Sequence, residues 1–208
     1  MAPHAGNYLD NIEPATGLVY SHIPDSDAQD IELAVAAAKA ASAAWANMHY
    51  EKRAEIIEKI AAGIESRMEE FVIAESLDNG KPQWLARQVD IPRAVHNFRF
   101  FATGIQHFSS ESHYMEGLGI NYTTRRPIGV VACIAPWNLP LYLFSWKIAP
   151  ALVAGNCVVA KPTEVTPYTA YLLSEVCIAA GLPKGVLNIV HGLGSKIGDV
   201  ISLHPDIK

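Results

Sequence analysis

The amino-acid sequence predicts an α/β fold: a helical part over residues 1–106, a hairpin over 107–127, and an incomplete parallel sheet with connecting helices over 128–208. Apolar residues recur at helical spacing through the first part. Beyond it, the short branched apolar runs Ile128 to Ile134, Asn156 to Ala160 and Val186 to Val190 alternate with helical segments. Such runs suit strands buried on both faces, joined by helical crossovers.

Taken in order, the chain opens with turns and short strands. A first helix is expected from Asp27 to Met48, with Ile31, Val35, Ala38, Ser42 and Trp45 on one stripe and a capping box formed by Ser26 and Gln29. A second starts at Glu51 and carries Ile56, Ile57, Ile60 and Ile64, then, past a break, Met68, Phe71 and Val72. It stops at Asn79-Gly80, ahead of Pro82. A third spans Trp84 to Thr103, with Pro92 kinking it or beginning a new segment. Between Met115 and Pro127, glycines flank the extended run Ile120 to Thr124. Helices are then expected at Leu141 to Val153, Tyr168 to Ala180 and from about Ser195. So few strands rarely complete a doubly wound sheet, so the last helix is expected to lead into a further strand near Lys208, where the sequence ends.

A net charge of −5 and no apolar run approaching the roughly 18 residues of a membrane span argue against nucleic-acid or membrane partners. Without a basic, then apolar, leader the expected location is cytoplasmic. Cys133, Cys157 and Cys177 lack paired spacing and lie in apolar surroundings, as reduced, buried thiols do. The scattered histidines form no metal motif.

Ligands of open α/β sheets bind beyond the carboxyl ends of the strands, which singles out the loops Ala135 to Pro140, Lys161 to Pro167 and His191 to Ser195. In the last, Gly192, Gly194 and Gly198 follow a GxGxxxG pattern that allows a pyrophosphate to approach backbone, or makes a plain strand-to-helix turn. Lys161 and Glu164 put opposite charges at the end of a buried strand, where ribose hydroxyls would satisfy both; the alternative is a surface ion pair. Pro136 and Pro140 fix the chain around Asn138, whose amide could stabilise an oxyanion or cap the next helix.

Together with Pro14-Ala15-Thr16-Gly17, Glu75 to Pro82, Arg126 to Val130 and Gly181 to Asn188, these loops resemble the aldehyde dehydrogenase superfamily nearly end to end. Asp90 to Arg93, Asn97 to Phe101 and Trp137 to Pro150 resemble more narrowly its 2-aminomuconic semialdehyde dehydrogenase branch. The resemblance implies the first part of that fold, with an incomplete Rossmann-like sheet and an oligomerisation hairpin at Gly117 to Pro127 that makes a homo-oligomer. It implies NAD as cofactor, with Ile134, Pro136 and Trp137 lining its cleft, Lys161 and Glu164 on the adenosine ribose, and Gly194 and Gly198 near the adenine. Asn138 would be the oxyanion donor, and Arg93 would meet the carboxylate of an aldehyde or semialdehyde substrate. Glu164 would repel a 2′-phosphate, favouring NAD over NADP.

The family's cysteine nucleophile and glutamate base have no counterpart here, and neither Cys133, Cys157 nor Cys177 matches the nucleophile motif. The chain is therefore expected to be catalytically silent alone, either as part of a longer enzyme or as a non-catalytic subunit that pairs with full-length chains.

Overall fold

A computed structural model describes residues 2–208. The chain begins with an antiparallel pair, β1 (Tyr8–Ile12) and β2 (Val19–Pro24). Helix α1 (Ala28–Asn47) follows, and its capping box differs from the expected one: Asp27 is the N-cap and Asp30 reaches back to it. The expected pair, Ser26 and Gln29, lies one residue earlier. A carboxylate accepts the free amides of a helix start more strongly than a hydroxyl does.

Helices α2 (Tyr50–Ser66) and α3 (Met68–Asn79) are separated at Arg67, where the sequence has its break. Gly80 ends α3 with φ of 76°, a left-handed turn suited to glycine. The expected third helix is divided. A short α4 (Gln83–Leu85) runs into a π-helical turn, Ala86–Asp90, and α5 (Ile91–Gln106) begins afresh with Pro92 in its first turn. Proline lacks the amide that a helix interior needs but its first turn does not.

The hairpin β3 (Ser112–Met115) and β4 (Gly119–Tyr122) turns at Met115 to Gly119. It occupies the middle of the stretch 107–127, and Thr123 to Pro127 extend beyond it as irregular chain. The parallel sheet then forms from β5 (Val130–Ile134), β6 (Cys157–Lys161) and β7 (Leu187–Ile189), in the order β5-β6-β7. The central β6 is buried throughout. β5 starts after Ile128 because the amides of Ile128 and Gly129 donate to Asn156 Oδ1, at 2.8 and 3.2 Å, instead of joining the ladder. The crossovers are α6 (Pro140–Val153) and α7 (Tyr168–Ala179), and α8 (Gly194–Ser202) follows β7.

After α8, Ile207 makes a parallel bridge to Val130, on the edge of β5 away from β6. The sheet thus winds outward from β5 through β6 to β7 and then resumes on the other side of β5. Such a reversal opens a crevice at the carboxyl end of the strand where it occurs. In this chain that is the loop after Ile134.

Ile57, Ile60, Ile64, Phe71, Ile91, Phe98, Phe144, Ile148 and Leu152 pack α2, α3, α5 and α6 into one core that continues to Val158 and Val159 of β6. Arg53 is buried within it, donating to the carbonyls of Val153 (3.0 Å) and Met48, which close α6 and α1. Its cation serves carbonyls that the helices leave without partners. Cys133, Cys157 and Cys177 are buried and free. No helix among the described residues is long and apolar enough to cross a membrane.

Candidate functional site

The sheet brings the three singled-out loops to one edge. Ala135 donates its amide to Lys161 O (3.0 Å), joining the ends of β5 and β6, and Val190 donates to Ala160 O (2.8 Å), joining β7 to β6. Lys161, almost wholly buried, directs Nζ to Glu164 Oε2 at 3.0 Å and to Pro162 O at 3.1 Å. Burial pushes the Glu164 carboxyl up, but the Lys161 hydrogen bond and neighbouring backbone amides outweigh it and hold the group below its ordinary range. One of those amides is Gly194, 3.4 Å from Glu164 Oε1 at the start of α8. Lys161, Glu164 and Gly194 therefore converge.

Gly194 matters there for its missing side chain. A Cβ on it would come to 3.9 Å from both Glu164 oxygens and Lys161 Nζ, an ordinary contact that places it directly against the ion pair. Gly198 is one turn further along α8, and a Cβ there would meet nothing within 4 Å. It leaves an open surface rather than a contact. His191, at the carboxyl end of β7, is a site neighbour that the sequence did not single out as a functional side chain. Desolvation and the Lys161 cation push its imidazole down to about 4, so it is neutral at pH 7.

At the end of β5, Ile134, Pro136, Trp137 and Asn138 are exposed on the rim of the crevice, with Trp137 60% accessible. Pro140 sits in the first turn of α6, and the N-cap position is Leu139, with no side-chain hydrogen bond. The capping alternative for Asn138 is thus not realised. The loop is held from beneath: Lys147 Nζ donates to Ile134 O at 2.5 Å, and Asn79 Nδ2 donates to Trp137 O at 2.9 Å.

Arg93 is exposed on α5, apart from the Lys161 group, with its guanidinium 5.6 Å from the ring centre of Tyr142 in α6. Tyr142 follows Asn138 by one helical turn, so Arg93 is tied to the same helix start that carries the loop. Below the loop lies a group to which no role was assigned from the sequence. Glu75, wholly buried, pairs with Lys81 (3.3 Å), which also meets the buried Asp90 (3.1 Å). Desolvation raises the Glu75 carboxyl to about 7, Lys81 opposing and Asp90 adding to the shift. Its only linear trace is the run Glu75 to Pro82, which the helix-stop reading used for Asn79 and Gly80 alone.

The cysteines offer no activated thiolate. Burial pushes Cys133 and Cys157 up to about 11 and Cys177 to about 12.

Residues 1–208 match the model of the aldehyde dehydrogenase family. The chain is 49% identical to a 2-aminomuconic semialdehyde dehydrogenase of Bos taurus, over 97% of this chain and 42% of that protein. It is 45% identical to a 2-hydroxymuconic semialdehyde dehydrogenase of Pseudomonas sp. strain CF600, over 98% of this chain and 43% of that protein. Among solved structures, PnpE from Pseudomonas sp. WBC-3 in complex with nicotinamide adenine dinucleotide superposes with a TM-score of 0.96 at 39% identity, covering 100% of this chain and 42% of that one. The chain therefore spans about two-fifths of the length of the curated relatives it matches.

Proposed function

The chain belongs to the aldehyde dehydrogenase family, and from that premise we propose that it is the NAD-binding portion of an enzyme that oxidises an aldehyde, of the muconic semialdehyde type, to a carboxylic acid. The observation that carries this reading is the convergence of Lys161, Glu164 and Gly194 beside the crevice at the end of β5. The residues present fit a dinucleotide: an acidic and a basic group for ribose hydroxyls, and a glycine at a helix start that leaves room above them. Glu164, held ionised, disfavours a 2′-phosphate.

NAD supplies the hydride acceptor, and the rest of the chemistry assigned to these residues is positioning. Lys161 and Glu164 hold the ribose, Ile134, Pro136 and Trp137 line the cleft, and Gly194 and Gly198 leave the adenine side open. Asn138, free of capping duty and braced by its neighbours, donates its amide to the oxygen that becomes negative when the aldehyde carbon is attacked. Arg93, backed by Tyr142, pairs with a carboxylate at the far end of the substrate. The attacking thiol is not one of the three cysteines, whose buried, protonated state suits packing. The chain by itself should bind NAD without oxidising aldehydes.

Titrating the purified chain with NAD and NADP by calorimetry tests this, together with an NADH assay. Preference for NAD, lost in Glu164→Ala, and no turnover are expected. NADP bound as well as NAD by the native chain would remove Glu164 from the ribose. Turnover abolished by blocking one of the cysteines would overturn the division of labour.

A second reading rests on the hairpin, where Tyr114, Leu118, Ile120 and Tyr122 are each at least 69% exposed. So much accessible apolar surface on one ribbon favours association, and here the chain would serve as a non-catalytic subunit docked on full-length chains. Sedimentation of the chain alone and mixed with full-length dehydrogenase distinguishes the two, with Leu118→Glu as the interface variant.

A further inference from the structure

The last turn of α3 reaches into the loop that carries Asn138. Asn79 Nδ2 donates to the Trp137 carbonyl at 2.9 Å, across 58 residues of sequence. Pro136 and Pro140 already restrict the backbone on either side. What they leave free is the plane of the Trp137–Asn138 peptide, which determines where Asn138 starts. A hydrogen bond to the Trp137 carbonyl removes that rotation.

The base of this clamp is rigid for separate reasons. Gly80 turns the chain at φ 76°, and Ser76 Oγ donates to Lys81 O at 2.7 Å, so Lys81 folds back over α3. There Lys81 Nζ stands between Glu75 Oε1 and Asp90 Oδ1, at 3.3 and 3.1 Å, with both carboxylates buried. The Glu75 carboxylate also faces the backbone amide of Leu141. That amide is the first one α6 offers, because Pro140 has none, and α6 has no side-chain cap of its own. On the other side, Asp78 accepts the Tyr168 amide at 2.5 Å and a hydrogen bond from Tyr20. The same helical turn thereby braces the start of α7 and lies against the start of α6.

We propose that Asn79 is a positioning residue for Asn138, acting through the Trp137 carbonyl from a base anchored by Glu75, Lys81 and Asp90. It rests on the reading of Asn138 as the oxyanion donor. Asn79 itself touches neither substrate nor cofactor; it sets the angle from which Asn138 donates.

The test has two readouts. In the isolated chain, NMR order parameters of the Trp137 and Asn138 amides should fall from about 0.85 to below about 0.6 in both Asn79→Ala and Asn79→Asp. The second variant keeps the shape and loses the donor. Thermal unfolding should be nearly unchanged in both. Loop order unaltered in both variants overturns the proposal. In a full-length dehydrogenase carrying this sequence, Asn79→Ala should lower kcat roughly 10–100-fold with KM for NAD unchanged, as expected of a small misplacement of a reacting group. Combined with Asn138→Ala, it should cost nothing further, because it acts only through Asn138. Losses that multiply would show an independent structural effect and overturn it too. If Asn138→Ala alone leaves kcat intact, the oxyanion assignment falls, while the loop measurement still judges the clamp.

Discussion

Lys161 Nζ lies 3.0 Å from Glu164 Oε2 at the carboxyl end of β6, with Lys161 3% and Glu164 30% exposed. The ion pair is therefore closed within the chain, and a ribose would join it rather than create it. Glu164→Gln keeps the shape but removes the charge. A hydrogen bond to a charged group is worth about 1.5–3 kcal/mol, so NAD binding should weaken roughly 10–100-fold. The gap between NAD and NADP should narrow, because the repulsion of a 2′-phosphate is gone. Calorimetric titration with both dinucleotides checks this, and an unchanged gap would place discrimination elsewhere.

Asn138 is exposed on the crevice rim and does not cap α6. In a full-length enzyme carrying this sequence, Asn138→Ala should lower kcat by roughly 10²–10³, the usual cost of losing one oxyanion donor. The affinity for NAD should stay within about twofold, since no cofactor contact is assigned to that side chain. Pre-steady-state kinetics would show the chemical step itself slowed.

The Arg93 guanidinium carbon lies 5.6 Å from the ring centre of Tyr142, within cation–π range. A cation–π contact of this kind holds the guanidinium near the ring without using its hydrogen-bond donors, leaving them for a carboxylate. Arg93→Ala in the full-length form should raise KM for an acidic semialdehyde by roughly tenfold or more and leave a neutral aldehyde unaffected. Tyr142→Leu should do the same more weakly. Equal changes for both substrates would assign Arg93 to a solvated helix face.

Much of this arrangement could be read from local sequence. The strands announce themselves through branched apolar runs, and the helices through stripes such as Ile57, Ile60 and Ile64, all buried. The three loops of the site follow from those elements. The expected capping box lies one residue early, at Ser26 and Gln29, because it leaves out Asp27 and Asp30, whose carboxylates make the box in the structure. Within the stretch 107–127 the first hairpin strand, Ser112–Met115, has no bounds in the local pattern, because it is largely exposed and carries no apolar alternation. The contacts that brace the site were least legible of all. Asn79 to Trp137 and Asp78 to Tyr168 join residues far apart in sequence, and the buried trio of Glu75, Lys81 and Asp90 leaves no periodic trace. Polar side chains that pair only through tertiary packing read, one by one, as helix surface.

That buried trio makes stability depend on pH in a way that one substitution can isolate. With all three groups ionised it holds two carboxylates against one ammonium, a net negative charge in a buried place. Glu75 relieves this by holding its proton: desolvation first, then the Asp90 charge, raise it from 4.5 to about 7 despite Lys81. In the unfolded chain the same carboxyl ionises near its ordinary value. Between about 4.5 and 7 the folded state therefore keeps a proton that the unfolded state has lost. The contribution of Glu75 to stability is full below that window, declines as pH rises through it, and is constant above. Glu75→Gln retains the volume and an acceptor facing the Leu141 amide but cannot titrate. Other groups also shape the profile: Asp78 is raised by burial and Glu65 lowered by Arg99, so the difference between variant and native chain is the quantity to read. Urea unfolding at a series of pH values should show that difference growing by up to about 1.4 kcal/mol per pH unit across the window, the slope of one proton, in favour of the variant. A constant difference would mean that Glu75 is ionised throughout. The foot of α6, and with it the backing of the Asn138 loop, would then rest on a buried anion rather than on a neutral group.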